Sequence, residues 1–442
     1  MRAMKFPEAG RAEIVEVPVP APQEGEVLVR VCSAGICHSD VASFLGKHDV
    51  RRPPVITGHE LAGEIVEVGR GVVGRRVGER VAVEPHVGCG RCVFCRQGQY
   101  HECPQKRFIG VGDWTGAFAE YTVATEAMCH PIPDRMSYDE GAMLEPLCVG
   151  LHAARRAELK LGERVAILGI GTIGMMTLLC VRCCGPGWVA VSDPSGFKRE
   201  TALRLGADLA IDPTTTAPVQ SIVAATDELG ADVVFVAVAL DTVLQQALST
   251  CRRMGRLVVI ASFFTGGALT ARQLQVRERL AIGTSMYTAD DYRLAIRLWE
   301  RGHFPELASL IAERITLEQA PECNQVFSLL EIVEFLIEPI PDLLKDLVEI
   351  LSAVSKEPTC GEQGLEILEV SLQIPINIRV LNLDHHLGSV LEPCPVNLTY
   401  RGRGMRFFIE PSKQFFRGGT HFRFDLRRDK SIVHRGRGLL QG

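Results

Sequence analysis

Four thiols, Cys89, Cys92, Cys95 and Cys103, follow one another as C-x2-C-x2-C-x7-C inside the glycine-punctuated stretch GCGRCVFCRQGQYHEC. A short turn with that spacing aims four thiolates at one tetrahedral centre, which zinc fills without leaving a position for substrate. Paired disulfides are the alternative, and two-residue separations repeated so tightly favour a metal over disulfide geometry. A second set is dispersed: Cys37 in GICHSD, His59 and Glu60 in TGHELAG, and Glu145 in MLEPLCVG. One thiolate, one imidazole and a carboxylate suit a zinc ion that keeps a coordination position open, the arrangement catalysis requires. Taken singly, His59 reads as a satisfied core histidine and Glu60 as a surface charge. Their company in one domain with a four-thiolate clamp is what points to a metal.

The third constellation is GIGTIG, Gly169 to Gly174, with Thr172 and Ile173 between the last two glycines. It follows the strand text ERVAIL and opens the helix text MMTLLCV, the context in which this pattern has a mechanism. Gly169 permits the tight turn, Gly171 lets backbone approach a pyrophosphate, and Gly174 allows close packing of helix on strand. Asp193 ends the next strand text, where a carboxylate binds a ribose diol and favours NAD over NADP. Lys198 and Arg199 offer the opposite reading, attraction of a ribose phosphate, but Asp193 would repel that phosphate.

The elements that must hold these residues follow from periodicity. From Ala12 to about Pro133 short apolar runs alternate with glycine and proline (EIVEVPVP, GEVLVRVCSAG, LAGEIVEVG, ERVAVEPH, FAEYTVA), the period of two of an irregular, mostly-β domain. After Pro146 the pattern changes. PLCVGLHAARRAEL is helical, and strand texts WVAVSD, ADLAID, ADVVFVAVA and GRLVVIAS then alternate with helical KRETALRLGA and DTVLQQALSTCRRMG. Such alternation predicts an α/β doubly wound parallel sheet. DDYRLAIRLWERG is read as a helix, and ASLIAERITLEQAPE as a connection returning toward the first domain.

The whole chain has 442 residues, 46% hydrophobic and 23% charged, enough to bury a full core in two or three domains. A net charge of −5 gives no electrostatic footprint for nucleic acid, and no apolar run is long enough to span a bilayer. The start, MRAMKFPEAGRAEIVEV, lacks a signal-peptide pattern, so a reducing cytoplasm is the expected setting, in keeping with the many unpaired-looking thiols such as Cys180, Cys183 and Cys184. Beyond Glu322 the character shifts. VFSLLEIVEFLIEPIPDLLKDLVEILSAV is apolar and acidic, with helical periodicity broken at Pro339 and Pro341, and the arginine-rich stretch from Arg401 through Arg437 shows no evident period and reads as a solvated tail. The sequon Asn397-Leu398-Thr399 is discounted without a secretory signal, and His385 and His386 read as surface or packed residues.

GICHSD, GHELAGEIVEVG, the four-cysteine lobe, TGAFAEY, LEPL and GIGTIG together make residues 1 to about 322 resemble the medium-chain, zinc-dependent alcohol and polyol dehydrogenases, above all the sorbitol dehydrogenase branch. The resemblance implies a GroES-like zinc-binding catalytic domain over 1–150, a Rossmann NAD-binding domain over 151–283, a return segment over 284–322 and an unassigned extension over 323–442. It implies one structural and one catalytic zinc, the latter surrounded by Cys37, His59 and Glu60 or Glu145, with Glu60 the resting ligand and Glu145 joined through water. A secondary alcohol, a polyol or sugar alcohol, is then oxidised to the ketone by hydride transfer to NAD, zinc serving as Lewis acid and Ser39 as acceptor of the alcohol proton. Ser39 has a plainer reading as a turn-stabilising serine. A homodimer or homotetramer is expected on the same ground.

Three departures from the family pattern stand out. Where many relatives have a histidine five residues after the zinc cysteine, this chain has Ala42, with His48 or water as substitutes. GTSMYTAD lacks the arginine that polyol enzymes often place near substrate hydroxyls. CNQVFSLLEIVEFLIEP does not continue the usual closing helix and strand, through either an appended segment or a changed reading frame. The rival expectations are a simple-alcohol dehydrogenase and a non-catalytic zinc- and nucleotide-binding relative.

Overall fold

A computed structural model describes residues 1–263 and 266–321, together with the backbone of five strands between 367 and 428. Five strands of the first part pair antiparallel in the order Tyr121–Thr125, Glu26–Gly35, Glu60–Val68, Arg80–Val83, Cys129–Pro131. Val27, Val29, Leu61, Ile65, Val81 and Val83 point their alternate positions into one buried cluster with Ile109 and Trp114. This is the period-two text of the sequence folded onto a single apolar face. Its register places Gly35 opposite Glu60.

The second sheet is parallel, in the order Leu209–Ile211, Trp188–Ser192, Arg164–Leu168, Ala231–Val236, Cys251–Val259, Leu280–Gly283. Chain order reverses between Arg164–Leu168 and Ala231–Val236, the switch point where doubly wound sheets bind ligands. Helices cover both faces, so strand residues are buried on both. Val165 and Ile167 pack with the helices Leu144–Arg156 and Thr172–Cys183, whereas Ala166 and Leu168 pack with Leu244 and Leu248 of the helix Asp241–Thr250. Each fully buried valine, leucine or isoleucine among them contributes about 1.5–3 kcal/mol. The first two helices cross closely because residue 150 is glycine: a Cβ there would stand 2.6 Å from the Met176 carbonyl carbon.

In the parallel sheet one element differs from the sequence reading. The helix read through DTVLQQALSTCRRMG stops at Thr250, and Cys251 begins the next strand, paired with Ala231. The sheet claims Cys251 because its side chain is buried there, and a register shift with Met254 at φ 58° accommodates the extra residues. The return toward the first part is seen in Ile315, Leu317 and Ala320, which pack with Met4, Phe6, Phe44 and Phe118.

A separate unit, Asp342–Gly442, carries strands Ile367–Ser371, Ile376–Leu381, Val396–Tyr400, Met405–Pro411 and Phe422–Arg428, paired antiparallel in chain order. The arginine-rich stretch read as patternless therefore contains strands. The signal is present in FRFDLRR, where Phe422, Phe424 and Leu426 alternate with polar residues. The apolar text broken at Pro339 and Pro341, the expected closing helix and strand, and His385 and His386 lie outside the described residues. Among the described residues no helix is long and apolar enough to cross a membrane.

Candidate metal and dinucleotide sites

Cys37 caps the helix His38–Phe44 as its N-terminal flanking residue, and Asp40, three residues on, accepts the Cys37 N–H at 3.0 Å. That local capping box fixes the thiol beside the strand Glu60–Val68, which begins at the end of TGHE. The ligand atoms of Cys37, His59 and Glu60 lie within 4.8 Å of one another. Room for the Glu60 carboxylate comes from its strand partner: a Cβ on Gly35 would stand 2.0 Å from Glu60 Oε2. Asp40 is fully buried and accepts from Thr57 Oγ1 at 2.5 Å and from Gly58 N at 3.2 Å, with His59 Nδ1 at 3.5 Å. Burial alone would raise its carboxyl; the His59 and Arg51 charges and the Thr57 bond outweigh burial and hold it well below the usual range.

The donor set fits a divalent cation. Thiolate, imidazole and carboxylate converge, and His59 Nδ1 is buried without a hydrogen-bond partner. Glu60, buried and next to the Glu145 charge, is pushed up to about 8. Desolvation also pushes the Cys37 thiol up, although the residue keeps some exposed surface. A cation is what would return both groups to their ionised forms. Glu145 lies outside the three-residue cluster. It enters from the first turn of the helix Leu144–Arg156, and its Oε1 accepts the Tyr287 hydroxyl.

Ser39 and His48 are both engaged. Arg51, buried, donates from Nη1 to Ser39 Oγ at 2.8 Å, and His48 Nδ1 accepts the backbone N–H groups of Val50 and Arg51 at 3.1 and 3.0 Å. Ala42 is buried inside the helix. Asp40, Arg51 and Tyr287 had not been singled out from the sequence. Asp40 was findable, standing at the third helical position after the Cys37 cap; Tyr287 lay in the GTSMYTAD stretch read only for its missing arginine.

In the second cluster the four thiols Cys89, Cys92, Cys95 and Cys103 have their Sγ atoms within 4.8 Å of one another. All four are free, and Cys89 and Cys95 Sγ are 4.0 Å apart, about twice a disulfide bond. Backbone N–H groups point at the sulfurs: Cys89 N at Cys103 Sγ (3.4 Å), Gln105 N at Cys103 Sγ (3.3 Å) and Cys95 N at Cys92 Sγ (3.4 Å). The N–H groups of Arg91 and Cys92 bring Cys89 down to about 6, whereas desolvation and the neighbouring Cys92 push Cys95 up to about 12. Four convergent sulfurs with backbone N–H groups aimed at them form a donor set that fits one tetrahedral zinc.

At the sheet's switch point Gly169 has φ 88°, and a Cβ there would meet Val238 Cβ at 2.9 Å. Gly174 faces the Gly169 carbonyl, where a Cβ would come within 2.1 Å, and Gly171 has nothing within 4 Å. The turn is thus closed on the protein side and open on the other. Gly171 caps the helix Thr172–Cys183, so Thr172 and Ile173 present its first, unpaired N–H groups. Asp193 is buried against this loop, accepting Ile170 N and Ser195 N at 2.9 Å each. Arg199 pairs with Asp212 at 2.9 Å and donates to the carbonyls of Asp193 and Pro194.

Two family models match this chain, the alcohol dehydrogenase GroES-like domain over residues 23–134 and the zinc-binding dehydrogenase over residues 172–301. Sorbitol dehydrogenase of Bacillus subtilis (strain 168) is 37% identical over 59% of this chain and 74% of its own length. The crystal structure of 2R,3R-butanediol dehydrogenase from Bacillus subtilis is 30% identical and superposes with a TM-score of 0.68, covering 73% of this chain and 94% of that one. A zinc-binding dehydrogenase of Sinorhizobium meliloti 1021, solved with NADP bound, is 29% identical with a TM-score of 0.69 over 73% of this chain and 95% of that one.

Proposed function

Since the chain belongs to the zinc-dependent alcohol and polyol dehydrogenase family, with GroES-like and Rossmann-type parts, we propose that it oxidises a secondary alcohol, a polyol, sugar alcohol or vicinal diol, to the ketone with NAD as hydride acceptor. The convergence of Cys37, His59 and Glu60 beside Glu145, upstream of an open glycine turn, carries this reading. We take residues 1–150 as the catalytic part, 151–283 as the nucleotide part and 284–322 as the return.

Zinc held by Cys37, His59 and Glu60 would supply a Lewis acid that favours the alkoxide form of an alcohol. Asp40 Oδ1 lies 3.5 Å from His59 Nδ1, and the His59 and Arg51 charges with the Thr57 bond keep that carboxylate ionised against its burial. Ser39 Oγ accepts the alcohol proton with the lone pair that Arg51 leaves available and gives up its own hydroxyl proton outward to water. Gly171 and the first N–H groups of its helix receive the pyrophosphate, and Asp193 receives the ribose diol. The tying of Arg199 to Asp212 supports NAD over NADP, because its charge is already matched. Cys89, Cys92, Cys95 and Cys103 hold a structural zinc. The described cysteines are all free, in keeping with a reducing cytoplasm, and the exposed edge strand Leu280–Gly283 supports a homodimer or homotetramer.

The test is NADH formation by metal-quantified protein over a panel of polyols, sugar alcohols and simple secondary alcohols, with NADP in parallel and Cys37→Ser as control. Turnover of a polyol that vanishes in the control supports the reading. Preference for simple alcohols moves it to that class, and bound zinc and NAD without turnover would falsify it in favour of a non-catalytic relative.

A further inference from the structure

We infer that Tyr100 is a positioning residue, through which the four-cysteine lobe holds the segment that presents Tyr287 to Glu145. Its catalytic consequence rests on the dehydrogenase reading above; the mechanical link does not. Tyr100 belongs to the lobe. It opens the short turn Tyr100–Glu102, its carbonyl accepts the Cys103 N–H at 3.0 Å, and the Cys95 thiol shares Gly88 with it: a Cβ on Gly88 would stand 2.6 Å from Cys95 Sγ and 2.8 Å from Tyr100 Cβ.

The hydroxyl leads out of the lobe. It donates to Glu84 Oε1 at 2.6 Å and accepts the N–H of Ala289 at 2.5 Å. Ala289 is the first residue of the helix Ala289–Glu300, whose opening N–H groups have no partner within the helix. Tyr100 supplies one from 189 positions away in the chain. Two residues before Ala289, the fully buried Tyr287 donates to Glu145, its ring centred 5.4 Å from that of His86. Between strand and helix, Met286 sits at φ 59°, a left-handed conformation that a long side chain adopts only when its surroundings hold it. Tyr100 joins the helix end of this segment to the lobe, beside the capping box in which the Thr288 N–H and hydroxyl donate to Asp291. Removing that hydroxyl leaves the Ala289 N–H unpaired, releases residues 286–289 and loosens the hydrogen bond that holds Glu145 apart from Cys37, His59 and Glu60.

Tyr100→Phe, Tyr287→Phe and the double variant test this in the full, zinc-loaded chain, with hydrogen–deuterium exchange over residues 284–292 read beside kcat and KM. Tyr100→Phe should speed exchange there about tenfold and lower kcat about tenfold, the size of one net hydrogen bond, with KM for NAD unchanged. The double variant should be no slower than Tyr287→Phe alone. Ala289→Pro removes the same bond from the donor side, its ring taking the place of the N–H and displacing the Tyr100 hydroxyl 2.5 Å away; proline fits the first helical position and Thr288 before it is already extended (φ −133°, ψ 171°). It should reproduce the exchange change even if Tyr100→Phe folds poorly. Unchanged exchange over 284–292 in both variants overturns the link whether or not the protein turns over substrate, and independent, multiplying losses of kcat overturn the route through Tyr287. A wild-type protein without turnover but with the exchange change removes the dehydrogenase reading and leaves the link standing.

Discussion

Arg51 Nη1 stands 2.8 Å from the Ser39 hydroxyl oxygen and donates to it. Arg51 is 7% exposed, and its charge reaches Asp40, His59 and Glu145. A serine expected to take the alcohol proton therefore has one lone pair occupied by a cation.

Ser39→Ala should lower kcat about 100-fold, the lower range for loss of a proton-transfer group, and Arg51→Met about tenfold. If Arg51 acts through Ser39, the double variant is no slower than Ser39→Ala. A kinetic double-mutant cycle decides, and additive losses would give Arg51 a separate role.

Cys92→Ser should cost about one equivalent of bound zinc and lower the melting temperature by more than about 10 °C, because a tetrahedral site missing one thiolate no longer closes the loop. Elemental analysis beside calorimetry reads both. Unchanged metal content would remove Cys92 from the clamp.

Asp193→Ala should raise KM for NAD about tenfold and narrow the gap to NADP. Both carboxylate oxygens also hold backbone N–H groups, so a stability loss of about 1–3 kcal/mol should accompany it. Paired steady-state kinetics with the two cofactors is the measurement, and an unaltered preference would leave Asp193 a purely structural role.

Stability of the metal-free protein should fall as pH rises. The Glu60 carboxyl goes from an ordinary 4.5 to about 8 in the fold, raised by burial and then by Glu145, so its favourable contribution is complete below about 4.5 and is lost as pH climbs through 8. Chelator-treated protein should therefore melt progressively lower between about pH 5 and 8, a trend that Glu60→Gln flattens. A flat profile in wild-type apoprotein would mean that Glu60 is not desolvated as placed.

Local pattern determined a good deal of this protein on its own. The cysteine spacing 89–92–95–103 closes within one loop, GIGTIG reads from strand into helix, and the β-then-α/β order follows from hydrophobic period, because each depends on neighbours in the chain. In the arginine-rich tail the strand Phe422–Arg428 was equally legible in the alternation of FRFDLRR. Only the tertiary structure could show that Gly35 vacates the volume taken by the Glu60 carboxylate, that Tyr287 donates to Glu145, which stands outside the Cys37–His59–Glu60 cluster, or that Arg51 occupies Ser39. Those relations join residues from 12 to 142 positions apart, through strand register and helix placement. They arise from which side chains share a desolvated volume once the sheets close, and no chain spacing encodes that.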